Sequence, residues 1–220
     1  MKNYTLYLIR HGITAANLNG LYAGGGTDLP LCPEGREDLE QLKRQFVYPK
    51  VDTVFLSPMA RAQQTAEILF PDAGKRLVID DLRENHFGEF EGRTIQELKT
   101  DPHFQLWMDP AKKYQPVGGE LAQDFHQRCA RTFLRMFEYM MKAGIDKAAC
   151  VTHGGVIMSM LAQQALPRRR PEDWMADPGC GYQLQTSAAM WMRDGLAEAV
   201  RILPFGYMDP PEEDEQAEEE

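Results

Sequence analysis

Residues 4–12, Tyr-Thr-Leu-Tyr-Leu-Ile-Arg-His-Gly, decide the fold class, and residues 147–155, Lys-Ala-Ala-Cys-Val-Thr-His-Gly-Gly, repeat their plan. Each is a short apolar or β-branched run that stops abruptly at basic and glycine residues, as a strand buried on both faces does at a polar turn. Two similar runs, 51–56 (VDTVFL) and 76–79 (RLVI), complete a set of four predicted strands. Helical patterns separate them. Pro33 suits a first helical turn and is followed by Leu39, Leu42 and Phe46 at helical spacing; Ser57-Pro58 is expected to cap and open a second helix with Ala62, Thr65, Ala66 and Leu69 on one face. The longest helix is expected over 120–142, with Phe125, Cys129, Thr132, Met136 and Met140 aligned, and another follows Gly154-Gly155 up to Pro167. Strands alternating with helices imply an α/β three-layer sandwich: a mostly parallel central sheet with helices on both faces.

Beyond Pro178 the pattern changes. YQLQT, AAMWMR and AEAVRIL read as strands, the last two flanking Asp194-Gly195 as a hairpin, so an antiparallel edge is expected near the C-terminus. One domain over 1–208 is expected, followed by an acidic, disordered tail at 209–220. Of the 33 acids among the 220 residues, eight lie in that tail; the other 25 face 24 bases, so the net charge of −9 belongs to the tail and the body is nearly neutral. A neutral body argues against nucleic acid as partner. The first apolar run is too short for a signal peptide and no stretch approaches a membrane span, so a cytoplasmic protein without membrane association is expected. Cys32, Cys129, Cys150 and Cys180 form no Cys-x-x-Cys pair and read as reduced thiols. The composition sets no oligomeric state.

In open α/β sheets, ligands bind beyond the carboxyl ends of the strands. Arg10 and His11 follow the first predicted strand, Arg61 follows the second, and His153 follows the last, where Gly154 and Gly155 begin a helix whose N–H groups face outward. Singly, each has a structural reading. Together they make a convergent cationic site for an anion. His86, His103 and His126 lack that context and read as structural, His126 being the one best placed to line a pocket.

LIRHG with Asn17 six residues after His11, then SPMARAQQTA, LRENHFGEFEG and VTHGG, resemble the histidine phosphatase superfamily, also called phosphoglycerate mutase-like, over about residues 4–203. The resemblance implies a phosphohistidine mechanism without metal or other cofactor. It makes His11 the nucleophile, Glu84 the general acid and His153 a third catalytic group, with Arg10, Asn17, Arg61 and the N–H of Gly154 holding the phosphoryl oxygens. The chemistry fits: arginine forks match a phosphate dianion, neutral imidazole carries a lone pair for phosphorus, and a carboxyl can protonate a leaving alkoxide. The FGEFEG stretch resembles phosphatases of small phosphomonoesters, including α-ribazole phosphatases and broad-specificity enzymes. A small phosphomonoester is therefore the expected partner. The interval of 69 positions from Glu84 to His153 is shorter than in the mutases, so phosphoryl transfer of mutase type is the alternative, and a non-catalytic binder of phosphorylated ligands a lesser one. Neither G-x-x-x-x-G-K-[ST] nor a G-x-G-x-x-G following a strand is present, which removes the usual nucleotide-binding motifs.

Several stretches depart from the family's pattern. Gly24-Gly25-Gly26 lacks the usual bulky side chain, implying a flexible rim and a wider mouth, and Leu121 stands where relatives carry serine, removing a phosphate or capping contact. DPGCGYQL lacks the expected asparagine or serine. Phe87, Phe90, Trp107 and Tyr114 read equally as an apolar lid or as half-buried packing. Arg168-Arg169-Arg170 reads as a solvated loop.

Overall fold

A computed structural model describes residues 2–207; the tail expected to be disordered, 209–220, lies outside the described residues. The strands are β1 (Asn3–Arg10), β2 (Thr53–Leu56), β3 (Lys75–Val78), β4 (Lys147–Thr152), β5 (Ala165–Leu166), β6 (Gly181–Ser187) and β7 (Ala197–Leu203). The helices are α1 (Ala15–Leu18), α2 (Pro33–Gln45), α3 (Ala60–Leu69), α4 (Ile95–Lys99), α5 (Pro102–Met108), α6 (Ala122–Ala143), α7 (Gly154–Gln164) and α8 (Ala188–Asp194). One sheet runs β3-β2-β4-β1-β6-β7-β5. The pairs β3-β2, β2-β4 and β4-β1 are parallel; β6 is antiparallel to both β1 and β7, and β5 closes the edge parallel to β7. The expected α/β architecture with an antiparallel C-terminal addition is the one observed.

Alternation along the central strands supplies both faces with apolar surface. Leu6 and Leu8 of β1, Ala148 and Cys150 of β4 and Phe55 of β2 join the core under α6 and α7; Tyr7, Ile9, Ala149, Val151, Val54 and Leu56 join the core under α2 and α3. The face of α6 read from sequence is the buried one, with Phe133 and Phe137 added to it.

One element differs in kind. AAMWMR is helix α8, not a strand, and Asp194-Gly195 is not a hairpin turn. The Ser187 side chain accepts from the Met190 N–H at the helix start, and Gly195 ends it at φ 62, the left-handed conformation glycine adopts without penalty. Trp191 is the residue α8 buries, stacked 4.7 Å from Phe137, while Met192 is 86% exposed. A single aromatic anchor between two caps, in a stretch rich in the helix formers Ala and Met, takes the place of the strand expected there. Among the described residues, no helix is long and apolar enough to cross a membrane.

Candidate functional site

The four parallel strands deliver the site from their carboxyl ends. Past β1 come Arg10, the last residue of the strand, and His11; past β4 comes His153, the N-cap of α7; past β2 comes Ser57, then Arg61 in the first turn of α3; past β3 a 3-10 turn, Asp80–Leu82, leads to Glu84. Backbone ties fix these ends: the His11 N–H donates to the Thr152 carbonyl at 2.9 Å, the Ser57 N–H to Val151 at 3.1 Å, and the Thr152 hydroxyl to Leu82 at 2.8 Å.

His11 and His153 face each other with ring centroids 5.0 Å apart. The Nε–H of Arg61 lies between them, 3.2 Å from His11 Nε2 and 3.3 Å from His153 Nδ1. His11 Nδ1 is 2.6 Å from the Gly12 carbonyl, which only an Nδ1–H can satisfy, so the lone pair is on Nε2. Burial first, then Arg61 and Arg10, hold His11 down to about 3, against the Gly12 contact that raises it; burial, His11 and Arg61 hold His153 well below the usual histidine range. Both rings are therefore neutral near pH 7. With Nδ1 of His153 accepting from Arg61, its Nε2–H donates to the Ser57 hydroxyl at 2.7 Å.

Arg10 donates from Nη1 to the Ala176 carbonyl at 2.8 Å, but its buried Nε has no partner among the described residues. An unpaired buried guanidinium N–H beside two neutral imidazoles can donate to an anion. A Cβ on Gly154 would come within 3.4 Å of that Nε, so the helix start of α7 closes the same space. Glu84 is 8% exposed. Its two oxygens accept from the N–H groups of Asn85 at 2.8 Å and Gly155 at 2.9 Å. Burial raises this carboxyl above its ordinary range, opposed by those two N–H groups and by Arg61 and Arg128.

Six of the seven residues named from sequence thus sit together. Asn17 is different: it is exposed in the first turn of α1, and its Oδ1 accepts from the N–H and hydroxyl of Thr14 in a capping box, both at 2.9 Å. Only its amide NH2 is left to offer an anion. Two groups escaped sequence reading. Ser57 is expected as a helix cap, but α3 begins at Ala60 without a side-chain cap and the Ser57 hydroxyl holds His153. Arg128, in the second turn of α6, has no motif around it and wraps the Glu84 segment with hydrogen bonds.

The rim differs from expectation. Residues 24–27 are seated by hydrogen bonds: the Gly25 N–H donates to the Asn85 carbonyl at 2.8 Å, the Gly26 N–H to Glu91 at 3.0 Å, and the Thr27 hydroxyl bonds the other Glu91 oxygen. Arg61 donates from Nη1 to the Thr27 carbonyl and from Nη2 to Gly24. Instead of widening the mouth, the glycines let backbone lie on backbone; a Cβ on Gly24 would stand 2.2 Å from the Asn85 oxygen. Phe87, Trp107 and Tyr114 pack around buried Phe90, Leu98 and Phe104 as a small satellite core, joined by Tyr22, whose ring lies 4.8 Å from Phe87. Leu121 is the N-cap of α6 and makes no capping bond. His126 bonds Ser159 between α6 and α7, and Arg168, Arg169 and Arg170 form an exposed loop in which Arg170 pairs with Glu172 and Asp173. All four cysteines are buried free thiols. Among the described residues, no group of three or more His, Cys, Asp or Glu side chains is close enough to hold a metal ion.

The model of the histidine phosphatase superfamily, branch 1, matches residues 6–194. The adenosylcobalamin/alpha-ribazole phosphatase of Escherichia coli is 31% identical over 80% of this chain and 86% of that protein. The fructose-2,6-bisphosphatase TIGAR of Xenopus tropicalis is 30% identical over 96% of this chain and 80% of that protein. The crystal structure of the alpha-ribazole phosphatase from Shigella flexneri superposes with a TM-score of 0.75 at 28% identity, covering 90% of this chain and 95% of that one. A family match over most of the chain, with relatives at this identity along most of their length, means that the chain belongs to the histidine phosphatase superfamily, branch 1.

Proposed function

We propose that this phosphoric monoester hydrolase cleaves small phosphorylated metabolites without metal, through a phosphohistidine on His11. The observation that carries the reading is the neutral His11 ring, its Nδ1–H engaged by Gly12 and its Nε2 directed to Arg61, next to the unpaired Nε of Arg10. A phosphoryl group between Arg10, Arg61 and His153 exchanges the polarity of the site for its own charge and presents phosphorus to Nε2. In the first step the Nε2 lone pair bonds to phosphorus while the bond to the leaving oxygen breaks, and protonated Glu84 gives that oxygen its proton. The Nδ1–H retained against Gly12 accommodates the positive charge the ring acquires. In the second step Glu84, now ionised, takes a proton from water as the water oxygen attacks phosphorus, and the N–P bond returns its electron pair to His11, releasing inorganic phosphate. The N–H groups of Asn85 and Gly155 stabilise the ionised carboxylate between the steps.

The relatives named above are phosphatases for different small phosphate esters, which supports the substrate class and leaves the leaving group to a panel of phosphomonoesters compared by kcat/KM. His11→Ala is expected to abolish turnover of p-nitrophenyl phosphate with the fold intact, since no other imidazole Nε2 faces the same space. The wild-type protein, acid-quenched during turnover, is expected to carry an acid-labile, base-stable phosphate that the variant lacks. Near-normal turnover in the variant overturns the mechanism. Activity unaffected by EDTA is expected as well; loss with chelator and return with Mg²⁺ contradicts it.

A further inference from the structure

We propose that Arg128, paired with Glu120, is the positioning residue that holds the Glu84 carboxyl at the reaction centre. It rests on the reading of Glu84 as the acid and base of the reaction, and assigns the group that keeps it in place.

The segment 81–86 carrying Glu84 belongs to no sheet, so each of its carbonyls needs a partner from elsewhere. The guanidinium of Arg128 supplies half of them. Its Nη1 donates to the carbonyls of Asp81 at 2.8 Å and Arg83 at 2.7 Å, and its Nη2 donates to that of Glu84 at 3.0 Å. The remaining donors go to Glu120: Nε to Oε1 at 2.7 Å and Nη2 to Oε2 at 2.8 Å. All five N–H groups of the fork are thereby used, a pattern lysine cannot copy. The ion pair is well covered, with Arg128 13% and Glu120 19% exposed, and the guanidinium lies 4.9 Å over the Phe125 ring.

The remaining carbonyls are held by the site's own parts. Leu82 accepts from the Thr152 hydroxyl, Asn85 from the Gly25 N–H, and His86 from the Glu120 N–H at 2.8 Å. Glu120 therefore grips the segment twice, once through its backbone and once through Arg128. Since Glu84 reaches Gly155 on α7 with a single oxygen at 2.9 Å, a shift of the segment by an ångström removes that contact, and misplacement on this scale costs about a hundredfold in rate.

Charge makes the assignment testable. The groups facing Glu84 are Arg10 from β1, Arg61 from α3, Arg128 and Cys129 from α6, Tyr22 from the loop after α1, and the N–H groups of Asn85 and Gly155. Arg10 and Arg61 serve the phosphate and stay in place. Arg128→Gln removes a positive charge, which makes Glu84 harder to ionise. Glu120→Gln removes the negative charge that neutralises Arg128, which makes Glu84 easier to ionise.

The test is the pH profile of kcat for both variants on glycerol 2-phosphate, a poor leaving group, and p-nitrophenyl phosphate, a good one. Each variant is expected to lose about 10–100-fold more on glycerol 2-phosphate than on p-nitrophenyl phosphate, because only the poor leaving group needs the aligned proton. The alkaline limb is expected to move up in Arg128→Gln and down in Glu120→Gln. If one variant does not fold, the other carries both readouts. Equal losses on both substrates, limbs that stay put or move together, or failure of both variants to fold makes the pair a structural strut and overturns the proposal. Glu84→Gln runs alongside: if it too treats the substrates alike, the acid reading fails and takes this one with it, whereas selectivity in Glu84→Gln alone overturns only the role of Arg128.

Discussion

Arg61 concentrates the chemistry of the site in one buried guanidinium. Its Nε addresses both histidines while its Nη atoms hold the carbonyls of Gly24 and Thr27, so the group that would bind a phosphoryl oxygen also fastens the rim. Desolvation works against its charge, with Glu84 the largest offset. The ring of His153 is held equally closely, and the residue that does it is Ser57, fully buried at the end of β2. Ser57→Ala leaves a buried imidazole N–H without an acceptor, a loss of about 1–3 kcal/mol. The expected result is a lower denaturation midpoint together with a fall in kcat/KM of roughly tenfold, the second arising because the ring turns away from Arg61; a unit of 1.4 kcal/mol is a tenfold change. A variant with reduced stability and unchanged kcat/KM shows that the hydroxyl stabilises the fold without orienting His153.

The loop 24–27 is the element that seats Arg61. His11 is 6% exposed, Arg61 2% and His153 fully buried, and the carbonyls of Gly24 and Thr27 hold the Arg61 fork in place between the two rings. Gly24→Ala places a methyl group 2.2 Å from the Asn85 oxygen and 2.5 Å from the Phe87 ring, neither able to yield without moving backbone or core. A destabilisation of about 1–3 kcal/mol is expected from overpacking, read as a lower midpoint, with weaker inhibition by vanadate because Arg61 loses its seat. Unchanged stability and inhibition would show that the loop is already displaced in solution. This loop also marks where sequence reading ends. The central strands were legible because β1, β2 and β4 alternate between two cores, and Arg10, His11, Arg61 and His153 because strand ends in such a sheet converge. The seated loop was not, because three glycines read alike whether they free a chain or let it pack backbone to backbone. Helix α8 was hidden by its place between two strand-like runs and by the Asp194-Gly195 turn signal, although Ala, Met and Arg are good helix formers; its caps at Ser187 and Gly195 and the docking of Trp191 on Phe137 decided it. Arg128 was hidden because its partners lie 8 to 47 positions away and are mostly carbonyls, which carry no side-chain signature.

At the scale of the whole molecule, two neutral histidines enclosed at the end of the sheet tie stability to pH. His11 is held at about 3 and His153 well below the usual range, while in the unfolded chain each takes its proton near pH 6.5. The unfolded state therefore binds more protons below about pH 6.5, so the stability these rings contribute is complete above that pH and drains away as pH falls. His126, lowered by burial, acts in the same direction. Glu84 opposes them: its carboxyl is raised, so its contribution is present below the ordinary glutamate value and is lost as pH rises. The carboxylates held low by partners, Asp101 and Asp173 among them, give up their share only at more acid pH. Between pH 7.5 and 5.5 the two buried rings thus dominate, and together they withdraw roughly 2–3 kcal/mol, each proton being worth about 1.4 kcal/mol per pH unit. For a chain of this size the midpoint is expected to fall by several degrees over that interval, since about 1 kcal/mol shifts it by 2–4 °C. Replacing His153 with glutamine is expected to reduce that slope by about half while lowering the midpoint at pH 7.5. A melting temperature that stays level from pH 7.5 to 5.5, or the same slope in the glutamine variant, would mean that the rings are solvated and charged and that the enclosed, neutral site is not the state in solution.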